Sequence, residues 1–289
     1  MYIGNGLIQL TSEQIRQKIS YSHLFGLEKL EDNLFQFCKA FLTADRNQIK
    51  NFKVYDLVPS VLLYGAPNTG KTTLCYRLFQ NIKQNITNEI NFYSLDVGYM
   101  LDPALGQSSR NLEEAFNQLK ENYQEQESSA FLVLDELDAF CMARSRFNEH
   151  DAVRRAMTTL MLELDKLHPE QKILVFGITN VPNLIDTAII RRFALRKHVD
   201  ANLSFEIFCE YLRYLTEPLS YKLNNDLLNE LFEIYQRRPL KTGDIKSIFK
   251  NLYIESIAFE DNFVFKDRLK KSLESSFSTE EHLRQKLKT

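Results

Sequence analysis

No two cysteines of this chain stand close enough in sequence to grip a metal together. Cys38, Cys75, Cys141 and Cys209 are scattered over 289 residues, a pattern that excludes finger-type zinc sites and fits a reducing compartment. No H-E-x-x-H pair occurs, which excludes a fused zinc protease. Long apolar runs are also missing. The longest, such as 173–178, are far too short to span a bilayer, and MYIGNGLIQLTSEQ has no basic segment leading into an apolar one, so no signal peptide is expected. Charge of one sign is lacking too: 36 Lys and Arg against 38 Asp and Glu leave a net charge of −2, so no global field favours nucleic acid or an acidic membrane surface. There is no internal repeat and no low-complexity stretch. A hydrophobic content of 44% with 26% charged residues is that of an ordinary globular chain, and a chain this long buries a core without staples. The expectation is a cytoplasmic protein with no membrane contact.

What is present centres on residues 61–73, VLLYGAPNTGKTT. Apolar, strand-forming residues run into a glycine-bracketed turn, and Gly65, Gly70, Lys71 and Thr72 fill the pattern G-x-x-x-x-G-K-[ST]. Glycines let the backbone fold back so that N–H groups converge on phosphate oxygens, and the N-terminus of the following helix adds a positive dipole end. The candidate phosphate-binding set is Gly65, Ala66, Pro67, Asn68, Thr69, Gly70, Lys71, Thr72 and Thr73. Lys71 is suited to the β/γ-phosphates and the Thr72 hydroxyl to Mg²⁺.

A second signal is FLVLDELDAF, residues 131–140, a strand ending in two carboxylates. Downstream of a P-loop it reads as the metal-supporting Asp135 and the water-polarising Glu136 that phosphoryl transfer needs; the bland alternative is that both merely cap the next helix. A third is GITN, residues 177–180. It places Asn180 at the carboxyl end of a parallel strand, where ligands bind, although Asn before Val-Pro is also a plain turn residue. A fourth is IDTAIIRRF, residues 185–193. Arg191 and Arg192 either compensate a helix dipole or point into the site of a neighbouring subunit.

Around these motifs, strands at 61–64, 90–95, 131–134, 173–178 and 197–199 alternate with helical patterns at 72–82, 111–123 and 151–167, which argues for a parallel sheet covered by helices. Leu27, Leu30, Leu34, Phe37 and Phe41 recur at helical spacing before the P-loop, with Ser22 as a possible cap, and 43–53 reads as a polar link. Beyond residue 202 the pattern is helical (204–215, 226–235, 245–257, 266–275), with a strand conceivable only at 262–265. The domain reading is therefore a short N-terminal extension over 1–20 carrying a helix at 13–19, an α/β nucleotide-binding domain over 21–201, a helical lid over 202–277 and a charged tail over 278–289 that is either helical or loose.

Taken in order, the P-loop, the DE-ended strand, the TN-ended strand and D-x-A-x-x-R-R-F resemble the AAA family of ATPases in the narrow sense, over about residues 20–275. Further blocks carry the same resemblance: Phe25-Gly26 before the P-loop, Leu105-Gly106-Gln107-Ser108 through Leu112, Arg144 and Arg154-Arg155 leading to 160–165, and Thr242-Gly243-Asp244-Ile245. The resemblance implies a P-loop NTPase with a five-stranded parallel sheet and a small all-α lid, and ATP with Mg²⁺ as ligands. By it, Lys71 and Thr72 hold phosphates and Mg²⁺, Asp135 supports the metal, Glu136 activates water, and Asn180 senses the γ-phosphate. Arg191 and Arg192 are given in trans, and Phe25, Gly26 and Gly243 close around adenine. A homo-oligomeric ring, commonly a hexamer, or a ring with related subunits is implied. Three departures stand out. Asn68 replaces a family glycine, and asparagine tolerates positive φ best among the other residues. Ala104 stands where the threading loop carries an aromatic, with Tyr99 and Met100 out of register. Tyr211 aligns with a lid histidine.

Three functions follow as expectations. One is an ATP-hydrolysing ring that remodels or disassembles a protein partner. Another is an ATP-controlled assembly switch or regulatory ATPase with slow turnover that recruits a partner effector; the partners expected besides the ring itself are a protein substrate or adaptor. The third, disfavoured by the near-neutral charge and by no added winged-helix domain being read in the sequence, is a DNA-loading machine.

Overall fold

The protein is described by a computed structural model over residues 2–4, 6–86, 89–95, 107–138, 150–238, 240–258 and 265–286. These residues fall into two compact units. The first comprises 1–23, 29–65 and 71–198; the second comprises 24–28, 66–70 and 199–289.

The first unit is built on a seven-stranded sheet. Its strands are β1 (Tyr2–Gly4), β2 (Leu7–Leu10), β3 (Ser60–Tyr64), β4 (Ile90–Leu95), β5 (Ser129–Leu134), β6 (Ile173–Thr179) and β7 (Leu195–His198), in the spatial order β1-β2-β4-β5-β6-β3-β7. The five strands from β3 onward are mutually parallel, as the alternation of strands and helices predicts. β5 and β6 are buried throughout, which is why they read as unbroken apolar runs. The sequence reading misses β1 and β2, which pair antiparallel with each other and extend the sheet beyond β4.

Helices α1 (Ser12–Ile19), α2 (Glu28–Leu42), α3 (Arg46–Val54), α4 (Lys71–Asn85), α5 (Gln107–Gln126), α6 (His150–Asp165) and α7 (Thr187–Arg192) complete this unit. Leu112, Ala115, Phe116 and Leu119 of α5 and Ala156, Met157, Leu160 and Leu164 of α6 are buried in one core with Leu132, Leu134 and Val175. Elsewhere in the unit an aromatic row crosses the strands: Phe92 stacks on Phe131 and Phe131 on Phe176, at 5.5 and 4.5 Å between centroids, while Phe79 of α4 meets Phe92 and Phe131 edge-on. Edge-to-face and offset contacts suit the ring quadrupole. The stretch expected as a polar link is helix α3. Asp45 caps it and Gln48 returns the bond to the Asp45 N–H, a capping box. Ser22 caps no helix; α2 starts at Glu28, and the Ser22 hydroxyl donates back to the Lys18 carbonyl.

The second unit is helical: α8 (Phe205–Thr216), α9 (Asn225–Arg237), α10 (Thr242–Ala258), α11 (Phe265–Ser275) and α12 (Thr279–Lys286). Ser204 and Asn224 cap α8 and α9 by accepting from the N–H groups of Ile207 and Leu227, each satisfying an orphan donor of the first turn. The core holds Phe208, Leu212, Leu227, Leu231, Tyr235, Ile245, Phe249, Leu269 and Leu273. Most of the strand conceivable at 262–265 lies outside the described residues. Cys38, Cys75 and Cys209 are buried free thiols, with burial pushing all three up; Cys141 lies outside the described residues. Among the described residues no helix is long and apolar enough to cross a membrane.

Candidate active site

In the first unit, the sheet's parallel register assembles the carboxyl ends of β3, β5 and β6. Tyr64 of β3 pairs with Thr179 of β6, and Leu134 of β5 with Gly177. Gly65, Asp135, Glu136 and Asn180 therefore follow directly from neighbouring strands. Open α/β sheets bind ligands at this edge.

Lys71 opens α4 and is 5% exposed, its ammonium donating to the Gly65 carbonyl at 2.9 Å. Burial pushes its pKa down to about 8, against the opposing pull of Asp135 and Asp138. Thr72 Oγ1 donates to Asp135 Oδ2 at 2.8 Å, and the other carboxylate oxygen accepts the Glu136 N–H at 2.9 Å. A hydroxyl and a carboxylate in contact at the head of a helix are a hard, oxygen-only donor pair, which fits Mg²⁺ with most of its waters retained. Thr73 is half-buried on α4. Glu136 is exposed and has φ +54, a left-handed conformation rare outside glycine and frequent at functional positions.

Sequence reasoning passed over Asp138. It is buried, and its Oδ1 accepts the Thr179 hydroxyl at 2.9 Å and the Asn180 N–H at 3.2 Å. The Leu137 N–H donates to the Ile178 carbonyl at 2.8 Å. The segment that carries Glu136 is thus fastened to the segment that carries Asn180. The signal was the third carboxylate of DELD, which has no local partner to explain it.

Arg191 and Arg192 end α7, which Asp186 caps by accepting the Ala188 N–H. Their environments differ. Arg192 Nε is 2.9 Å from the Asp165 carboxylate and its Nη1 donates to the Ala188 carbonyl at 2.7 Å. Arg191 is exposed and makes no ion pair among the described residues. Both arginines line a cleft of about 590 Å³ together with Phe52, Asp165 and His168.

In the second unit, the segment 66–70 meets the start of α10. Asn68 has φ +63, and its carbonyl accepts the Gly243 N–H at 3.1 Å and the Thr242 hydroxyl at 3.5 Å. A Cβ on Gly243 would stand 2.4 Å from Asn68 Cβ; only glycine lets the two backbones approach this closely. Gly65 and Gly70 have φ +148 and +90, so three positive-φ residues fold the loop 65–70, as a phosphate cradle of N–H groups requires. Pro67 is half-buried, and the Thr69 hydroxyl donates to the Ala66 carbonyl at 3.0 Å. Gly26 (φ +76) donates its N–H to Glu28, and Phe25 packs between Tyr211 and Tyr214 at 4.9 and 5.6 Å. The Tyr211 hydroxyl donates to the Thr242 carbonyl at 2.7 Å, so the tyrosine aligned with a lid histidine is tied to the same turn as Gly243. Ala104, Tyr99, Met100, Leu105, Gly106 and Arg144 lie outside the described residues.

A buried strand, a phosphate-type turn and a helix opened by Lys71 and Thr72, set on a parallel sheet beside Asp135, define a P-loop nucleotide-binding domain. Residues 61–201 match the sequence model described as the ATPase family associated with various cellular activities, AAA, and this part of the chain belongs to that family. The protein Suppressor of K(+) Transport Growth Defect 1 of Arabidopsis thaliana is 28% identical over 199 residues, 66% of this chain and 41% of that protein. Vacuolar protein sorting-associated protein 4B of Mus musculus is 31% identical over 140 residues, 48% and 29% of the two chains. The putative pachytene checkpoint protein 2 of Caenorhabditis elegans is 27% identical, over 68% and 47%. The chain spans less than half the length of these curated relatives. Among solved structures, a chain of the E. coli MS115-1 HORMA:CdnC:Trip13 complex superposes with a TM-score of 0.76 at 19% identity, covering 94% of this chain and 95% of that one. The FIGL-1 AAA domain gives 0.63 at 18%, covering 96% and 89%. At these identities the structural likeness concerns the fold.

Proposed function

We propose that the protein hydrolyses ATP with Mg²⁺ in an oligomeric ring and spends the energy on remodelling or disassembling a protein partner. The observation that carries the hydrolytic part is the contact of Thr72 with Asp135 beside a buried Lys71, with Glu136 next in the chain. Lys71 exchanges its Gly65 carbonyl for phosphate oxygens, which restores full charge to an ammonium that burial has weakened. Thr72 and Asp135 would hold Mg²⁺, which supplies charge neutralisation across the β- and γ-phosphates. Glu136 takes the proton of the attacking water, and Asn180 orients that water or contacts the γ-phosphate. Gly65, Ala66, Pro67, Asn68, Thr69, Gly70 and Thr73 belong to the proposed phosphate set; Phe25, Gly26 and Gly243 belong to the proposed adenine set.

The exposed Arg191 is the better placed of the two arginines to act on a neighbouring protomer. Such a group is worth about 10³–10⁵ in rate where it has been measured. Head-to-tail contacts that close on themselves generate the ring this requires, and a homohexamer is the proposed assembly. The partner is a protein substrate or adaptor, in keeping with relatives and neighbours whose names include a HORMA complex and a checkpoint protein, and the proposed compartment is the cytoplasm. Near-neutral charge argues against nucleic acid. The test is size-exclusion chromatography with pull-down for Glu136→Gln in ATP and Mg²⁺. A stalled, nucleotide-bound assembly that retains a protein partner is expected. A monomer that retains none contradicts the ring and its remodelling role.

A further inference from the structure

The turn that holds the Asn68 carbonyl is itself held by helix α12. Asp244, in the first turn of α10, is 4% exposed. Its Oδ2 accepts the N–H groups of Lys241 and Thr279, both at 3.1 Å, and its Oδ1 accepts the Thr279 hydroxyl at 2.5 Å. Lys241 is likewise buried. Its ammonium meets Glu280 at 2.6 Å and both oxygens of Asp200 at 3.0 Å. Arg238 adds a third tie, to Glu281 at 2.9 Å. Two residues upstream of Asp244 and one residue upstream, Thr242 and Gly243 hold the Asn68 carbonyl. Thr279 and Glu280 are therefore connected to Asn68 through their ties to Asp244 and Lys241, the backbone of the 241–244 turn, and the bonds of Thr242 and Gly243 to the Asn68 carbonyl.

Two of the three donors that satisfy the Asp244 carboxylate come from α12. A buried carboxylate stripped of donors is costly, so the turn 241–244 cannot keep this shape when α12 leaves. Asn68 is the place where such a change is felt. It holds a positive φ that glycine adopts freely and asparagine adopts with help, and its carbonyl is held by the turn in question.

We infer that α12 is a built-in support for the P-loop: its docking on Asp244 and Lys241 fixes the Gly243 turn and thereby sets the affinity for nucleotide. Any partner that lifts α12 would loosen nucleotide, and nucleotide would in turn tighten α12, because coupling between two sites is reciprocal. The inference rests on the P-loop binding ATP.

The experiment uses the full chain and ATP·Mg²⁺ in isothermal titration calorimetry. The double variant Thr279→Val/Glu280→Gln is expected to raise the Kd about tenfold, a coupling of ordinary size, while Thr279→Ser stays within about twofold of the wild type. Leu231→Ala, a core truncation of the same helical unit, is expected to lower the melting temperature and leave the Kd unchanged. A double variant that binds like the wild type, or a Leu231→Ala protein that loses affinity equally, overturns the support role. A wild type that binds no ATP overturns the nucleotide reading and this inference with it. Should the double variant fail to fold, amide exchange on the wild type decides: ATP·Mg²⁺ is expected to slow exchange over 279–286 at least about fivefold, and unchanged exchange there contradicts the coupling.

Discussion

Thr72 Oγ1 donates to Asp135 Oδ2 across 2.8 Å, joining the head of α4 to the end of β5 through two groups that both suit a hard cation. Replacing either should therefore remove the metal's contribution while leaving the loop. Thr72→Val is expected to bind ATP with nearly equal affinity with and without Mg²⁺, and to hydrolyse it at least about 100-fold more slowly. Nucleotide titrations in Mg²⁺ and in chelator check this; a Thr72→Val protein that keeps the wild-type response to Mg²⁺ removes Thr72 from the site.

Lys71 carries a pH signature. Its folded-state pKa lies at about 8, below the value of about 10.4 for a free lysine. Between these limits the unfolded chain binds more protons, so this group's contribution to stability rises with pH across the window, and below about 8 the cost of burying the charge is present in full. Phosphates favour the charged form. ATP binding near pH 9 is therefore expected to take up a substantial fraction of a proton. Calorimetry in buffers of differing ionisation enthalpy reads the uptake, which should shrink toward zero near pH 7, where Lys71 is already charged before ATP binds.

Asp138 should behave as a positioning residue, since it meets Thr179 and the Asn180 N–H rather than a place open to ligand. Asp138→Asn is expected to lower kcat by about tenfold or more, with the KM for ATP changed less than about threefold. Thr179→Val should repeat the effect and Thr179→Ser should restore most of the rate. Parallel losses in kcat and affinity in all three would show general damage to the sheet.

Gly243 and Asn68 leave no room for a side chain between them. Gly243→Ala is expected to cost about 1–3 kcal/mol in stability, the usual range for overpacking, and to weaken ATP. Thermal denaturation with and without ATP checks both effects.

The two arginines should separate by assay. Arg192→Ala breaks the half-exposed pair with Asp165 and is expected to cost at most about 1 kcal/mol of stability. Arg191→Ala is expected to melt like the wild type and to lose ATP turnover chiefly at concentrations where subunits associate. Mixing Arg191→Ala with Glu136→Gln subunits should restore part of the turnover, because some boundaries then pair an intact Glu136 with an intact Arg191. No recovery on mixing contradicts action in trans.

The parallel sheet and the chemistry at its edge were legible because each depends on short, contiguous patterns: buried apolar runs for β5 and β6, and a loop whose spacing follows from phosphate geometry. What escaped was either weakly apolar or non-local. α3 buries no residue, so no stripe announces it; the Asp45-x-x-Gln48 capping box was the signal available. The strands of the N-terminal hairpin are only three and four residues long, too short for alternation to register; the sequence signal available there was an Asn-Gly dipeptide, which favours tight turns. Asp138 and the ties of Asp244 to Thr279 join residues far apart in sequence. The different surroundings of Arg191 and Arg192, adjacent and identical in type, arise only once α6 brings Asp165 to one of them.

Hydrolysis of ATP at this site is tested by single-turnover phosphate release from γ-labelled ATP, measured on the wild type, Lys71→Met and Glu136→Gln with Mg²⁺ at subunit-associating concentration. The wild type should release phosphate, Glu136→Gln should retain intact ATP with release slowed at least about 100-fold, and Lys71→Met should retain none. Release by the wild type that persists at full rate in Glu136→Gln, or a wild type that neither holds nor cleaves ATP, would contradict it.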